Sequence, residues 1–260
     1  MKTTLQTLLL LPLLATSDFV APPFTIDLSL PPAERWTSAV SSVINEHGWE
    51  HTFGPLLDYF EGTVGGHSFF VKHDDVIVAN TISLMNDEYA EELTGIYDTI
   101  VALGFGDNIT LGEIGALQMY YELNPFCTGM LCEDASGNIL HGRNMDYSLP
   151  GLANITISAT FVSPNDGTTP VFQSTTFLGY VGVVTGMRLD GWAVQANQRF
   201  KLEIPYINTI IGAKDGFKPV GLALRRELYE TATYAEAVEN LKTMKLMAPL
   251  YLIMSGKAKG

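Results

Sequence analysis

The chain has 260 residues, 47% hydrophobic and 17% charged, enough to bury a substantial core as one large domain or two small ones, which excludes a disordered protein. A formal charge of −13 and a pI near 4.7, with no local Lys/Arg cluster, repel phosphate backbones and anionic surfaces and exclude nucleic acid as a partner. The same acidity is compatible with work in an acidic compartment, where carboxylates become neutral.

The amino terminus, MKTTLQTLLLLPLLATS, combines Lys2, an apolar run from Leu5 to Leu14, and small residues Ala15 and Ser17 placed for cleavage before Asp18. Residues 1–17 read as a secretory signal peptide, since the run falls short of the ~20 residues that span a bilayer. The sequons Asn108-Ile109-Thr110 and Asn154-Ile155-Thr156 make Asn108 and Asn154 candidate glycosylation sites and fit a secretory route.

Phe24 to Trp36 reads as a strand and a Pro-Pro turn that opens a helix, and the chain then stays mostly helical. Glu88 to Leu103 has helical periodicity, and Thr110-Leu-Gly-Glu113 is a capping box whose helix runs to about Glu122. At Cys127 the pattern changes to strands. Thr128–Glu133 and Ile139–Tyr147 flank the turn Asp134–Asn138, and Asn154–Val162, Pro170–Val184 and Gly191–Phe200 follow. Leu222–Tyr229 is helical, a second capping box at Thr233–Glu236 opens a helix to about Met244, and Leu250–Met254 is a last strand. The expected fold is α+β and layered: a mainly helical region, 18–126, precedes a sheet-forming region, 127–260.

Useful chemistry concentrates in CTGMLCEDASGNILHGRNMDY, which holds both cysteines of the chain. Cys127 and Cys132 lie five apart on a strand and point to opposite faces, so a bridge between them would be strained and at least one is expected to be a free thiol. If the bond between Phe126 and Cys127 is cut, Cys127 carries a thiol and an α-amine with an ordinary pKa of about 7.7 to 8.0, a nucleophile and a general base in one residue. Arg143 would favour the thiolate and Asp146 would hold the amine, provided the strand bends or bulges near Asn144 to bring both to one face. Spacing alone leaves the bland readings open: a buried small hydrophobe for the cysteine and a surface pair for Arg143 and Asp146. His141 reads as a strand residue, without a second residue at metal-ligand spacing. With no phosphate loop, dinucleotide glycine motif or paired-cysteine signature, no metal or cofactor is expected.

The run from Cys127 to Tyr147 resembles the start of the β subunit in the acid ceramidase and N-acylethanolamine acid amidase family, lysosomal N-terminal-nucleophile hydrolases related to bile-salt hydrolases. FTIDLSLPPAERW, LGEI...YYEL, TTFLGYVGVVTG with NQRF at Asn197–Phe200, and APLYLIMSG are similar to further family segments, so the resemblance covers nearly all of the chain after the leader. It implies a four-layer αββα sandwich, self-cleavage before Cys127 to give an α/β heterodimer, and Cys127, Arg143 and Asp146 as site residues. The implied substrate is a lipid amide, ceramide or an N-acylethanolamine; the apolar residues Phe177, Leu178, Tyr180 and Val181 are candidates to line the acyl channel and equally good core residues. A lysosomal or secreted location and a membrane-surface or lipid-activator contact go with it. NQRF and APLYLI are nearer the ceramidase, and the short Tyr147–Asn154 connection nearer the ethanolamide hydrolase. The family pattern continues past the stretch matching Leu250–Met254 with an Asn in a Thr-Asn-Tyr-Asp motif and a later Arg, whereas this sequence stops at Gly260. An incomplete gene model is the expected reason, ahead of a natural isoform or an inactive lipid-binding relative.

Overall fold

A six-stranded sheet organises the chain, which the computed structural model describes over residues 20–64, 66–123, 127–146, 149–189, 191–199 and 217–257. The leader, Phe126 and Tyr147 lie outside the described residues. Strand β1 (Pro23–Asp27) leads through Pro31 and a 3-10 turn at Pro32–Glu34 into α1 (Thr37–His47). Four more helices follow: α2 (Phe53–Val64), α3 (His67–Ile82), α4 (Asp87–Ile100) and α5 (Leu111–Leu123). Strands β2 (Cys127–Glu133) and β3 (Ile139–Met145) form a hairpin. Then come β4 (Thr156–Val162), β5 (Pro170–Phe177), β6 (Thr185–Arg188) and β7 (Trp192–Gln198), helices α6 (Val220–Glu230) and α7 (Tyr234–Thr243), and β8 (Leu250–Gly256).

Local chemistry accounts for the boundaries. On α1, Ala39, Val40, Val43 and Ile44 recur at helical spacing and are buried. Asn86 caps α4 by accepting from Tyr89 N–H at 2.9 Å. The first expected capping box forms in full: Thr110 N–H donates to Glu113 Oε2 at 2.7 Å and Glu113 N–H to Thr110 Oγ1 at 3.1 Å. Thr233 Oγ1 accepts from Glu236 N–H at 3.3 Å at the second.

The sheet order is β1-β4-β5-β6-β7-β8, with β1 parallel to β4 and the other pairs antiparallel. One face, with Ile26, Ile157, Ala159, Phe161, Phe172 and Val194 fully or almost fully buried, packs on the helices. The hairpin lies against the opposite face at β7 and β8. The architecture is α+β, layered helix, sheet, sheet. No described helix covers the outer side of the hairpin, where Met130 and Leu140 are exposed. The region before Cys127 supplies β1 to the sheet as well as the helices.

Two strand assignments need correction. Pro170–Val184 is not one strand: β5 ends at Phe177, Gly179 turns at φ 87°, and β6 begins at Thr185. The cause is a buried side chain from another element, Gln118 on α5, whose Oε1 accepts from Val181 N–H at 2.9 Å while its Nε2 donates to Gly179 O. Asn154 and Ile155 belong to a 3-10 turn (Leu152–Ile155) that precedes β4.

Beneath the sheet, one carboxylate gathers the helical layer. Glu92 on α4 is fully buried and accepts from Arg35 Nη1 at 2.8 Å, Trp36 Nε1 at 2.7 Å, and Arg225 Nη1 and Nη2 at 2.5 and 2.7 Å. Arg35 also donates to Leu28 O at 2.8 Å and Leu30 O at 3.1 Å, and Arg225 to Val181 O at 2.8 Å. Arg225 stacks on Tyr89 and Phe161, 4.6 and 5.0 Å from the ring centres. Burial opposes ionisation of Glu92, but the charge and hydrogen bonds of Arg225, with those of Trp36 and Arg35, outweigh it and hold its pKa below the ordinary 4.5. Its contribution is therefore full above about 4.5 and is lost only as pH falls through that lower folded value.

Glu92→Gln leaves the buried Arg225 guanidinium without its carboxylate partner and takes from Arg35 one of its two, Glu88 being the other, at a cost of about 3–5 kcal/mol. The thermal midpoint followed by circular dichroism is expected to fall by roughly 10 °C. An unchanged midpoint would show that the cluster is not what joins these helices.

Candidate active site

The register of the hairpin decides which side chains meet the sheet. Cys127 pairs with Met145, Gly129 with Arg143 and Leu131 with His141, so Cys127, Gly129, Arg143 and His141 share the face turned toward β7 and β8. Both cysteines are free thiols, Cys127 half-buried on that face and Cys132 exposed on the other. Gly129 permits the close approach: a Cβ there would sit 2.0 Å from Gln195 Nε2 and 2.6 Å from Ile253 Cδ1.

Arg143 reaches across the gap between the sheets. Its Nη2 donates to Cys127 Sγ at 3.0 Å and to Ala196 O at 2.7 Å, and its Nη1 to Thr185 Oγ1 and to Val184 O at 3.3 Å. Carbonyls of β7 and the start of β6 thus hold a positive charge against the thiol, where it can stabilise the sulfur anion that a nucleophile needs.

Asp146 is placed differently. β3 pairs without interruption through Asn144 and Met145, so the bend that would have turned Asp146 toward Arg143 is not made. Asp146 follows the end of the strand, exposed, and its carboxylate accepts from Asn144 Nδ2. Arg143 is hydrogen-bonded to Cys127, whereas Asp146, next to the Met145 that pairs with Cys127, is bonded to Asn144.

Sequence reasoning missed Gln195 and Asn197 as site residues. Both project from β7 beneath the hairpin, 0% and 7% exposed, and Asn197 Nδ2 lies 3.4 Å from Cys127 O. Their signal is two amides at alternate positions beside buried Val194 and Ala196, which marks a sheet covered on both faces. His141 is the strand residue expected; burial pushes its pKa down, a hydrogen bond to Gln195 pulls it up, and the Arg143 charge adds to the downward push, which wins.

Of the candidate acyl-channel residues, Leu178, Tyr180 and Val181 are buried in the core, and Phe177 packs on it with its ring 5.7 Å from that of Tyr180. Asn108 is exposed, whereas Asn154 Nδ2 donates to His51 O at 2.8 Å.

A second cluster gathers residues far apart in sequence. Glu61 on α2, His67 on α3 and Glu113 on α5 bring their ligand atoms within 4.8 Å of one another, a grouping that sequence spacing did not reveal. His67 Nδ1 lies 2.8 Å from Glu113 Oε1 and 3.5 Å from Glu61 Oε1. The hydrogen bond to Glu113 raises the pKa of His67 above 6.5 against the opposing effect of burial; burial and the neighbouring Glu113 raise that of Glu61 above 4.5.

Arg143→Ala is expected to slow alkylation of Cys127 by iodoacetamide roughly tenfold or more, given the ~1.5–3 kcal/mol of a hydrogen bond to a charged group. Arg143→Lys restores little, because an ammonium cannot span the carbonyls of Val184 and Ala196. Peptide mapping of the alkylated chain measures both, and an unchanged rate in Arg143→Ala would refute the role. The raised pKa of His67 means that its stabilisation is present below the ordinary 6.5 and lost as pH rises through the folded value. The thermal midpoint is expected to drop slightly on going from pH about 6 to about 8.5, and the drop should shrink in His67→Asn; the effect is small because His67 is partly exposed.

Residues 127–259 match the family described as linear amide C–N hydrolases, choloylglycine hydrolase family. The chain is 30% identical over 267 residues to the acid ceramidase of Mus musculus, covering 91% of this chain and 61% of that protein. It is 28% identical over 264 residues to that of Homo sapiens, covering 92% and 61%. Among solved structures, the Caenorhabditis elegans N-acylethanolamine-hydrolyzing acid amidase ortholog is similar with a TM-score of 0.44 and 34% identity, covering 52% of this chain and 56% of that one. The chain spans about 61% of the length of the curated relatives it matches. With the β2–β3 hairpin and all the described strands after it inside the matched stretch, the chain belongs to the choloylglycine hydrolase family of linear amide C–N hydrolases.

Proposed function

We propose that the protein is a lysosomal lipid amide hydrolase that splits N-acylsphingosine into fatty acid and sphingosine after cutting itself between Phe126 and Cys127. The single observation carrying this reading is the Cys127 thiol held at 3.0 Å from Arg143 Nη2, at the first residue of the family match. Similarity to acid ceramidases across 91% of the chain supports ceramide as the substrate.

In this mechanism the freed α-amine of Cys127 accepts the thiol proton and the thiolate attacks the amide carbonyl. Collapse of the tetrahedral intermediate breaks the C–N bond, the α-ammonium protonates the leaving amine, and an acyl thioester remains. Water, activated by the same α-amine, attacks the thioester; the fatty acid leaves and the thiol is restored. Arg143 stabilises the sulfur anion, and Asp146 would orient the α-amine once cleavage frees it. Phe177, only partly buried, would meet the acyl chain. The leader at 1–17 would direct the chain to the secretory route, with glycans at Asn108 and Asn154.

The cleaved halves would stay together as an α/β heterodimer. Pairing of β1 with β4, the Gln118 contacts with Gly179 and Val181, and the Glu92–Arg225 pair all cross the cut.

Intact mass and amino-terminal sequencing after incubation near pH 4.5 test the first step. A new terminus beginning Cys-Thr-Gly, in the wild type and not in Cys127→Ala, is expected, with the two pieces co-eluting on gel filtration. An uncut wild-type chain would refute self-cleavage by this polypeptide. Side-by-side hydrolysis of ceramide and palmitoylethanolamide tests the substrate, and release of ethanolamine alone would reassign it.

A further inference from the structure

His141 is the inward-facing polar residue of β3 that the reaction above leaves unused. Its Nδ1 lies 2.8 Å from Ser255 Oγ on β8 and its Nε2 3.0 Å from Gln195 Oε1 on β7. Gln195 Nε2 in turn lies 3.0 Å from Asn197 Oδ1, and Asn197 Nδ2 3.4 Å from Cys127 O. A neutral imidazole and two carboxamides are directional groups, each presenting a donor on one side and an acceptor on the other.

Two polarities satisfy this chain. In one, His141 Nε2–H donates to Gln195, Gln195 donates to Asn197, and Asn197 donates to the Cys127 carbonyl. In the other, His141 takes the opposite tautomer and both amides turn over. The Asn197 nitrogen then faces the Gln195 amide at 3.0 Å, and its oxygen accepts from Gly129 N–H at 3.3 Å. The choice at His141 therefore arrives at the nucleophile's own strand as a choice between two backbone partners two residues apart.

We propose that His141 is a positioning residue whose tautomer, passed through Gln195, decides whether Asn197 holds the Cys127 carbonyl or the Gly129 amide, and so where the thiol sits over β7. The proposal rests on the reading of Cys127 as the nucleophile. Ser255 anchors the far end, so the relay ties β3 to both β7 and β8 while it orients the amides.

The test is alkylation of Cys127 by iodoacetamide in the purified full chain, read by peptide mass, with the exposed Cys132 of the same molecule as internal reference. His141→Leu and Gln195→Met each break the relay without leaving a void. Both are expected to change the Cys127 rate roughly tenfold or more in the same direction, the scale on which small misplacements act at such sites. The double variant should be no worse than the worse single one, since both cut one chain. His141→Gln, which places an amide where Nε2 stood, should return the rate to near wild type. The proposal is overturned if folded His141→Leu reacts like the wild type, or if His141→Gln is as altered as His141→Leu. If His141→Leu does not fold, Gln195→Met against His141→Gln gives the same decision. A wild type that alkylates at Cys127 but hydrolyses no lipid amide would sink the substrate reading and leave this test standing.

Discussion

The buried Glu92 carboxylate is the constraint on which the rest of the structure depends. A charge taken out of water at that depth persists only when it is paired and every lone pair is occupied, and here two guanidinium groups and an indole occupy them. The partners come from the turn after β1, the start of α1, and α6. Arg225 extends the cluster to the carbonyl of Val181, in the turn between β5 and β6. Residues before and after Cys127 therefore share one ionic centre, and displacing any of these elements would strand a buried charge.

That rigidity matters because the thiol is positioned by the spacing of two sheets. Gly129 lets the hairpin approach β7 and β8, and Arg143 spends its hydrogen bonds on carbonyls belonging to the larger sheet. The charge beside Cys127 is thus fixed by backbone that the core holds in place. A longer side chain at position 129 would separate the sheets and withdraw that charge from the sulfur. The turn bearing Val184 and Thr185 is in turn fixed from below by Gln118 and Arg225, so the helical layer sets the geometry of the hairpin through the sheet.

Helix α5 receives similar attention from its surroundings. Its first turn is held by Thr110 through the capping box, by Asp74, which accepts from Gly112 N–H at 2.7 Å, and by His67 on the Glu113 carboxylate. Glu113 serves both the cap and the interhelical contact, which explains why a carboxylate is tolerated at 0% exposure. Its middle is pinned by Gln118 to the β5–β6 turn. The helix that leads toward residue 124 is therefore oriented by two side chains of α3, His67 and Asp74, and by its own Gln118.

Local pattern alone determined much of this. The two capping boxes, the hairpin around Asp134–Asn138, the α+β order of elements and the opposite facing of Cys127 and Cys132 depend on neighbours a few residues apart, and short-range chemistry dictates them. The reach of Arg143 to Cys127 was anticipated from residue type, but its fixed orientation comes from carbonyls of residues 184 and 196. What only the tertiary structure decided are the contacts between distant residues: the end of β5, imposed by Gln118; the exposed place of Asp146, set by an unbroken ladder; the Glu61–His67–Glu113 group; and the amides of Gln195 and Asn197 under Cys127. Each depends on which faces are pressed together when the helices and two sheets stack, and a linear sequence carries the periodicity of a face but not the identity of what covers it.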